Sequence, residues 1–160
     1  MKKTPLLLSI LLTSTLFFNA RAQSDSGVKG ELTFLKQANE CLLVMDQAAR
    51  DISVKGVALV AFIPGDTTTS WTSKMIAVGA LRNSSASFLA IAYSKAAEMA
   101  DTYKNSGSGS REVLHGEFGY QGGIIKKVDP GYILAVFSGA SGEQDAEIAQ
   151  AGVDWLYEQF

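Results

Sequence analysis

The sequence contains one cysteine and one histidine among 160 residues, and this scarcity excludes several kinds of site. A lone Cys41 cannot form an internal disulfide, and it cannot supply the several thiolates of a structural zinc site. A lone His115 excludes a metal centre built from several imidazoles.

An excess of charge of one sign is also missing. Fourteen Lys and Arg residues stand against sixteen Asp and Glu residues, which gives a formal net charge of −2. Nucleic-acid-binding domains usually carry a strongly basic face, so we expect no nucleic-acid partner. With 47% hydrophobic residues, the chain can bury a core, and its length suits one globular domain.

The N-terminus has the pattern of a targeting segment. Lysines at 2–3 precede an apolar run at 6–18, and Ala-Arg-Ala follows at 20–22. This order is typical of a secretory signal peptide, with small residues at the −3 and −1 positions of the cleavage site. A membrane span needs about 20 apolar residues, so an uncleaved anchor is the weaker alternative. We predict a signal peptide over residues 1–22, a periplasmic or secreted location, and no stable membrane insertion after cleavage.

The rest of the chain divides into a short lead-in and a domain. Residues 23–30 are polar and contain glycine, which predicts a flexible lead-in, and residues 31–160 form the predicted domain. Apolar side chains recur every three or four positions over 35–52, which indicates a helix with Thr33 at its N-cap. The continuous apolar run at 57–63 predicts a strand that is covered on both faces.

The middle of the domain alternates between strand and helix patterns. Residues 70–78 are near period two and predict a second strand. A serine at 84 or 85 is expected to cap a helix over 86–103. A Gly- and Ser-rich loop at 105–110 then leads to a short third strand predicted at 111–117.

The C-terminal third combines a hairpin with a helix. Apolar runs at 124–128 and 132–138 flank Asp-Pro-Gly at 129–131, which predicts a β-hairpin. Ser141 and Gln144 have the spacing of a capping box that opens a final helix. Strands joined by short turns pair antiparallel. We therefore expect an α/β fold of the α+β type, with a single antiparallel sheet of about five strands flanked by helices.

Three segments together carry a resemblance to a known family. They are Ala92-Tyr93-Ser94-Lys95-Ala96, then Gly122-Gly123-Ile124-Ile125, then Ser138-Gly139-Ala140 followed by Asp145, Ala149, Ala151 and Gly152. Over roughly residues 31–156 the chain resembles the GlcG/HbpS-like family, to which haem binding has been attributed. The resemblance implies a profilin-like fold, a homo-oligomer, and a small-molecule ligand with haem as a candidate cofactor. It implies no settled catalytic reaction.

Five candidate site residues lie in the C-terminal third. Gly122 and Gly123 would let a ligand approach backbone N–H groups, or would serve close packing under a helix. Ser138 and Gly139 precede the final helix, whose N-terminus offers free N–H donors to a ligand or needs only a cap. Asp145 lies in the first turn of that helix, where it can contact a ligand or a metal, or serve only as a carboxylate that the helix dipole stabilises.

Three further candidates lie earlier in the chain. Lys95 can bind a ligand carboxylate, or pair with Glu98 three residues later. His115 and Tyr120 lie in a glycine-rich segment and can ligate haem iron, with His115 expected first. A lone histidine is also common as an ordinary hydrogen-bonded residue.

These residues leave three functions open. The first is an exported small-ligand-binding protein, with haem or a related tetrapyrrole as one candidate. The second is an enzyme acting on a small oxygenated metabolite through Lys95, His115 and the turn from Ser138 to Asp145. The third is a structural or stress-related assembly without a ligand. A Ser–His–Asp triad is formally available, but the chain has no Gly-x-Ser-x-Gly elbow.

Overall fold

The computed structural model describes the backbone of residues 6–160 and the side chains of residues 27–160. The predicted signal peptide, residues 1–22, lies outside the residues with described side chains, and its cleavage stays a prediction. No helix within the described range combines the length and the apolar content that crossing a membrane requires.

Residues 6–160 form three α-helices and four β-strands. The elements are α1 (Leu6–Asp51), β1 (Gly56–Pro64), β2 (Thr72–Val78), α2 (Phe88–Thr102), β3 (Gly123–Val128), β4 (Gly131–Ser138) and α3 (Gly142–Tyr157). The strands make one antiparallel sheet in the order β2-β1-β4-β3. The predicted α+β fold with a single antiparallel sheet is therefore confirmed, with four strands in the described range rather than about five.

Helices cover both faces of the sheet, which explains the continuous apolar run of β1. Ala58, Val60 and Phe62 pack with α1 and α3 in one core cluster. The alternate residues, Val57 and Leu59 among them, pack with α2 in a second cluster. A strand buried on both faces needs apolar residues at every position, as the sequence predicted.

The predicted third strand is wrong, because residues 111–117 form a loop between α2 and β3. The Arg111 guanidinium donates to both carboxylate oxygens of Glu117 at 2.8 Å and to Asp101 at 2.8 Å. The same Glu117 carboxylate accepts the Leu114 backbone N–H at 3.0 Å. Side-chain hydrogen bonds thus organise this segment in place of a strand ladder.

The start of α1 differs from its prediction. The helix includes residues 23–30, which the sequence predicted to be a flexible lead-in, and Thr33 lies inside it rather than at its N-cap. The Thr33 hydroxyl donates to the carbonyl of Lys29, four residues back, at 3.1 Å. That bond satisfies the hydroxyl inside a continuing helix, as threonine commonly does.

The second helix is capped by Ser87 instead of Ser84 or Ser85. The Ser87 side chain accepts the Ala90 N–H, and α2 begins at the next residue. The side-chain oxygen Oδ1 of Asn83 accepts the backbone N–H groups of residues 85 and 86 at 2.8 and 2.7 Å. This Asx-type turn holds residues 83–86 outside the helix.

The hairpin and the last helix agree with their predictions. Val128 pairs with Gly131 across a two-residue turn that joins β3 to β4. Ser141 caps α3 by accepting the Gln144 N–H, and the Gln144 side chain returns a bond to the Ser141 N–H, which completes the capping box. Residues 139–141 form the turn that joins β4 to α3.

Candidate functional site

A buried ion pair joins α2 to α3 at this turn. The Lys95 Nζ donates to Asp145 Oδ2 at 2.7 Å and to the carbonyl oxygen of Phe137 at 2.8 Å. Only 2% of Lys95 and 4% of Asp145 is exposed. The second carboxylate oxygen, Oδ1, accepts the Ala140 backbone N–H at 2.9 Å. Lys95 does not pair with Glu98, whose carboxylate accepts the N–H of Gly107 instead.

Burial shifts both partners toward their neutral forms. It lowers the pKa of Lys95 and raises the pKa of Asp145, while the attraction between the two charges opposes both shifts. A buried ion pair is a weak source of stability because its desolvation offsets its attraction. Buried titratable pairs with shifted pKa values are concentrated at functional sites, which makes this pair the centre of the candidate site.

Gly122 is required by the ion pair. Its φ is +118°, in the region that favours glycine. A methyl group there would overlap Lys95 Nζ and lie 2.5 Å from Asp145 Cβ. The Gly122 carbonyl also accepts the Phe137 N–H at 2.9 Å. The missing side chain therefore lets the backbone pass directly beside the two charges.

The other two candidate glycines have packing roles. A Cβ on Gly123 would lie 2.6 Å from Met99 Cε, so this position confirms the expected close packing under a helix. A Cβ on Gly139 would lie 2.7 Å from the Cα of Gly56 at the start of β1. Gly139 also borders the cavity described next.

A cavity of about 430 Å³ opens beside the ion pair. It lies between the first half of α2, the segment before β3 and the turn from β4 to α3. Its walls are Asn83, Ala86, Phe88, Ile91, Lys95, Gly119, Tyr120, Gln121, Ser138, Gly139, Ala140, Gly142, Glu143 and Asp145. The volume is within the range of sites that hold small molecules.

Ser138 is a buried residue that presents its hydroxyl to this cavity. Leu134 and Val136 face α2, and alternation along β4 places Ser138 on the same face. The residue is 2% exposed, and its hydroxyl makes no hydrogen bond within residues 27–160. Every fully enclosed polar side-chain atom of the described residues has a hydrogen-bond partner. Because the Ser138 hydroxyl has none, it is not fully enclosed and faces the cavity. A hydroxyl in this position can donate a hydrogen bond to a molecule in the cavity, or accept one from it.

The two predicted haem ligands lie in different places. Tyr120 lines the cavity, and its ring stacks on Phe118 at 5.6 Å. His115 is exposed on the loop before β3 and does not line the cavity. Because Asp145 is bound to Lys95, the Ser138–His115–Asp145 arrangement does not form a triad here.

The fold thus brings five predicted residues to one cavity, with Gly122 directly behind it. They are Lys95, Tyr120, Ser138, Gly139 and Asp145. Sequence reasoning missed the remaining wall residues, including Asn83, Phe88 and Gln121. The position of Gln121 directly before the glycine pair could have marked it as a site residue. The turn at Asn83 is distant in sequence from the other candidates, so no local pattern linked it to the site.

Within the described residues, no three His, Cys, Asp or Glu side chains come together as a metal site would require. Comparison of the chain with protein-family models gives no match. Comparison with curated proteins gives no match either.

Proposed function

We propose that this protein binds a small, oxygen-bearing molecule in the cavity beside the Lys95–Asp145 pair. The observation that carries the proposal is the Ser138 hydroxyl, which opens onto the cavity from a residue that is only 2% exposed and makes no hydrogen bond to residues 27–160. Two further features support it. The Lys95 ammonium has three N–H groups and two hydrogen bonds to described residues, and Ala86, Phe88 and Ile91 supply an apolar wall.

The donors and the apolar wall together define the ligand chemistry. A hydroxyl or carbonyl oxygen can accept from Ser138 and from the remaining N–H of Lys95. A short carbon skeleton can pack against Phe88 and Ile91. The ligand is therefore a small molecule with a polar end and a compact apolar part.

Binding can be tested with three matched probes of three carbons each: hydroxyacetone, propane-1,2-diol and lactate. Saturation-transfer NMR on the folded protein should detect at least one of them, and Ser138→Ala should weaken its binding about tenfold, the equivalent of one lost hydrogen bond. Ser94→Ala is the matched control, because Ser94 is a buried serine outside the cavity walls whose hydroxyl already accepts the Phe118 N–H. Absence of binding by all three probes, or equal binding by wild type and Ser138→Ala, contradicts the proposal.

Haem is a second candidate ligand, favoured by the position of Tyr120. Haem iron takes an axial ligand from His, Tyr, Cys or Met side chains. Tyr120 is the residue of these types that lines the cavity, whereas Cys41 is buried in the core beside α3. The site would therefore hold haem through the Tyr120 phenolate, with His115 outside it.

A haemin titration separates the two candidate ligands of the iron. If haem binds in the cavity, Tyr120→Phe changes the Soret band and His115→Ala leaves it unchanged. The reverse result assigns the iron to the exposed loop, and no spectral change with the wild-type protein removes haem from consideration.

The proposal includes export and self-association. Export follows from the signal-peptide pattern at residues 1–22. Self-association is supported by three large apolar side chains exposed on the loop before β3: Val113, Leu114 and Phe118. Exposed apolar patches of this kind often mark contacts between proteins. Light scattering of residues 23–160 should give a mass above that of one chain, and a monomer at micromolar concentration contradicts this part.

A further inference from the structure

We propose that Lys95 forms a covalent imine with a neutral aldehyde or ketone bound in the cavity, and that Asp145 carries the proton for this step. The inference rests on the proposed function, because it requires that the cavity admit an oxygen-bearing ligand. It goes further by assigning a reaction to the ion pair and a chemical class to the ligand.

The amine is within reach of a ligand. Lys95 is part of the cavity wall, although only 2% of the residue is exposed. Its two described hydrogen bonds leave the third N–H of the ammonium without a partner among residues 27–160. Gly122 has no side chain at the place where a methyl group would overlap Nζ. A larger residue there would displace the amine from its present position.

The charges around the amine favour a neutral carbonyl over a carboxylate. Lys95 and Asp145 neutralise each other, and Glu143 adds a second carboxylate at the cavity wall. An anionic ligand would therefore meet two carboxylates and one ammonium. A ketone or aldehyde brings no charge, and its oxygen can accept from the Ser138 hydroxyl.

The ion pair can generate the reactive form of lysine. An amine is nucleophilic only when it is unprotonated, and a buried environment favours the uncharged state. The 2.7 Å bond between Nζ and Oδ2 is a direct path for moving the proton to Asp145. Oδ1 remains held by the Ala140 N–H at 2.9 Å, so the carboxyl group keeps its position during this transfer.

The reaction then balances without any further reactant. Asp145 takes one proton from the Lys95 ammonium, and the Nζ lone pair attacks the carbonyl carbon as the C=O π bond breaks. A proton moves from nitrogen to the carbonyl oxygen, which gives a carbinolamine. Asp145 returns its proton to that hydroxyl, the C–O bond breaks, and water leaves. The products are a protonated imine on Lys95, the Asp145 carboxylate and one water molecule.

Reductive trapping tests this inference on the folded protein. The protein is incubated with hydroxyacetone and cyanoborohydride, and peptide mass spectrometry then locates the reduced adduct. We expect Lys95 to be the most heavily labelled lysine despite its burial, with the exposed Lys36 and Lys104 as internal references. Labelling of the exposed lysines without labelling of Lys95 overturns the inference.

Two variants keep the test independent of folding defects and of binding. Asp145→Asn removes the proton acceptor, so labelling at Lys95 should be lost while circular dichroism shows a folded chain. Lys95→Arg keeps a cation beside Asp145 and has no amine that can form an imine, so it should acquire no label at position 95 while circular dichroism shows a folded chain. Binding of hydroxyacetone by wild type without an adduct refutes the imine alone, whereas absence of binding refutes the proposed function. If Asp145→Asn is labelled as strongly as wild type, Asp145 has no part in the step.

Discussion

Replacing Lys95 by methionine removes the cation from the buried pair and keeps an unbranched side chain of similar length. The Asp145 carboxylate then loses its bond to Nζ and keeps the Ala140 N–H as a donor. Because Asp145 is only 4% exposed, solvent compensates little for the lost ammonium. We therefore expect Lys95→Met to fold less stably than the wild type.

The size of the effect follows from the burial of both partners. Removing one member of a buried ion pair typically costs about 3–5 kcal/mol, because the remaining charge is left without compensation. Adding Asp145→Asn should recover about 2 kcal/mol or more, since asparagine is uncharged and can still accept the Ala140 N–H. The double variant is therefore expected to be more stable than the single variant.

The pH dependence has a definite sign. Burial raises the pKa of Asp145 above its usual value of 3.8, and loss of the Lys95 cation, which opposes this rise, raises it further. A carboxyl group with a raised pKa binds protons more tightly in the folded state, so its contribution to stability is greatest at low pH. That contribution is lost as the pH rises from 3.8 through the folded-state pKa. The deficit of Lys95→Met relative to the wild type should thus shrink between about pH 7 and about pH 4.

Urea unfolding followed by tryptophan fluorescence measures these differences at both pH values. Lys36→Met is the matched control, because Lys36 is exposed on α1, and it should change the unfolding free energy by about 0.5 kcal/mol or less. If Lys95→Met and the double variant lose equal stability, or if the deficit grows toward low pH, the argument from an uncompensated buried carboxylate is refuted.

Two further predictions concern buried positions. Gly122→Ala should lower the unfolding free energy by about 2–4 kcal/mol, because alanine disfavours the positive φ and its methyl group overlaps Lys95. Thermal unfolding should show a larger loss of stability for this variant than for Gly116→Ala. Gly116 is the matched control because its φ is +90° with nothing within 4 Å of an added Cβ, so equal losses would mean that the overlap is unimportant. Burial raises the pKa of Cys41 to about 12, and the thiol donates to the Gly152 carbonyl at 3.1 Å. A thiol-specific disulfide reagent should consequently react with Cys41 in urea and only very slowly in the native protein, and rapid native reaction would contradict its burial.

Much of the fold could be predicted because its signals are local. The apolar run at 57–63 requires cover on both faces wherever the strand lies, and Asp-Pro-Gly at 129–131 requires a turn between the runs that flank it. Ser141 and Gln144 satisfy each other within one turn of helix. By contrast, the segment 111–117 pairs with no strand of the sheet. Its conformation is held by side-chain hydrogen bonds, which the periodicity of a sequence does not reveal.

The candidate site was only partly accessible to sequence reasoning. The sequence by itself determined which residues had the chemistry for a site, and it placed Ser138 and Asp145 at opposite ends of one short turn. Only the tertiary structure decided that Asp145 pairs with Lys95, 50 residues earlier in the chain, and that His115 lies away from both. The physical reason is that side-chain periodicity and capping depend on neighbours within a few residues. An ion pair across two helices depends instead on how the sheet brings distant segments together.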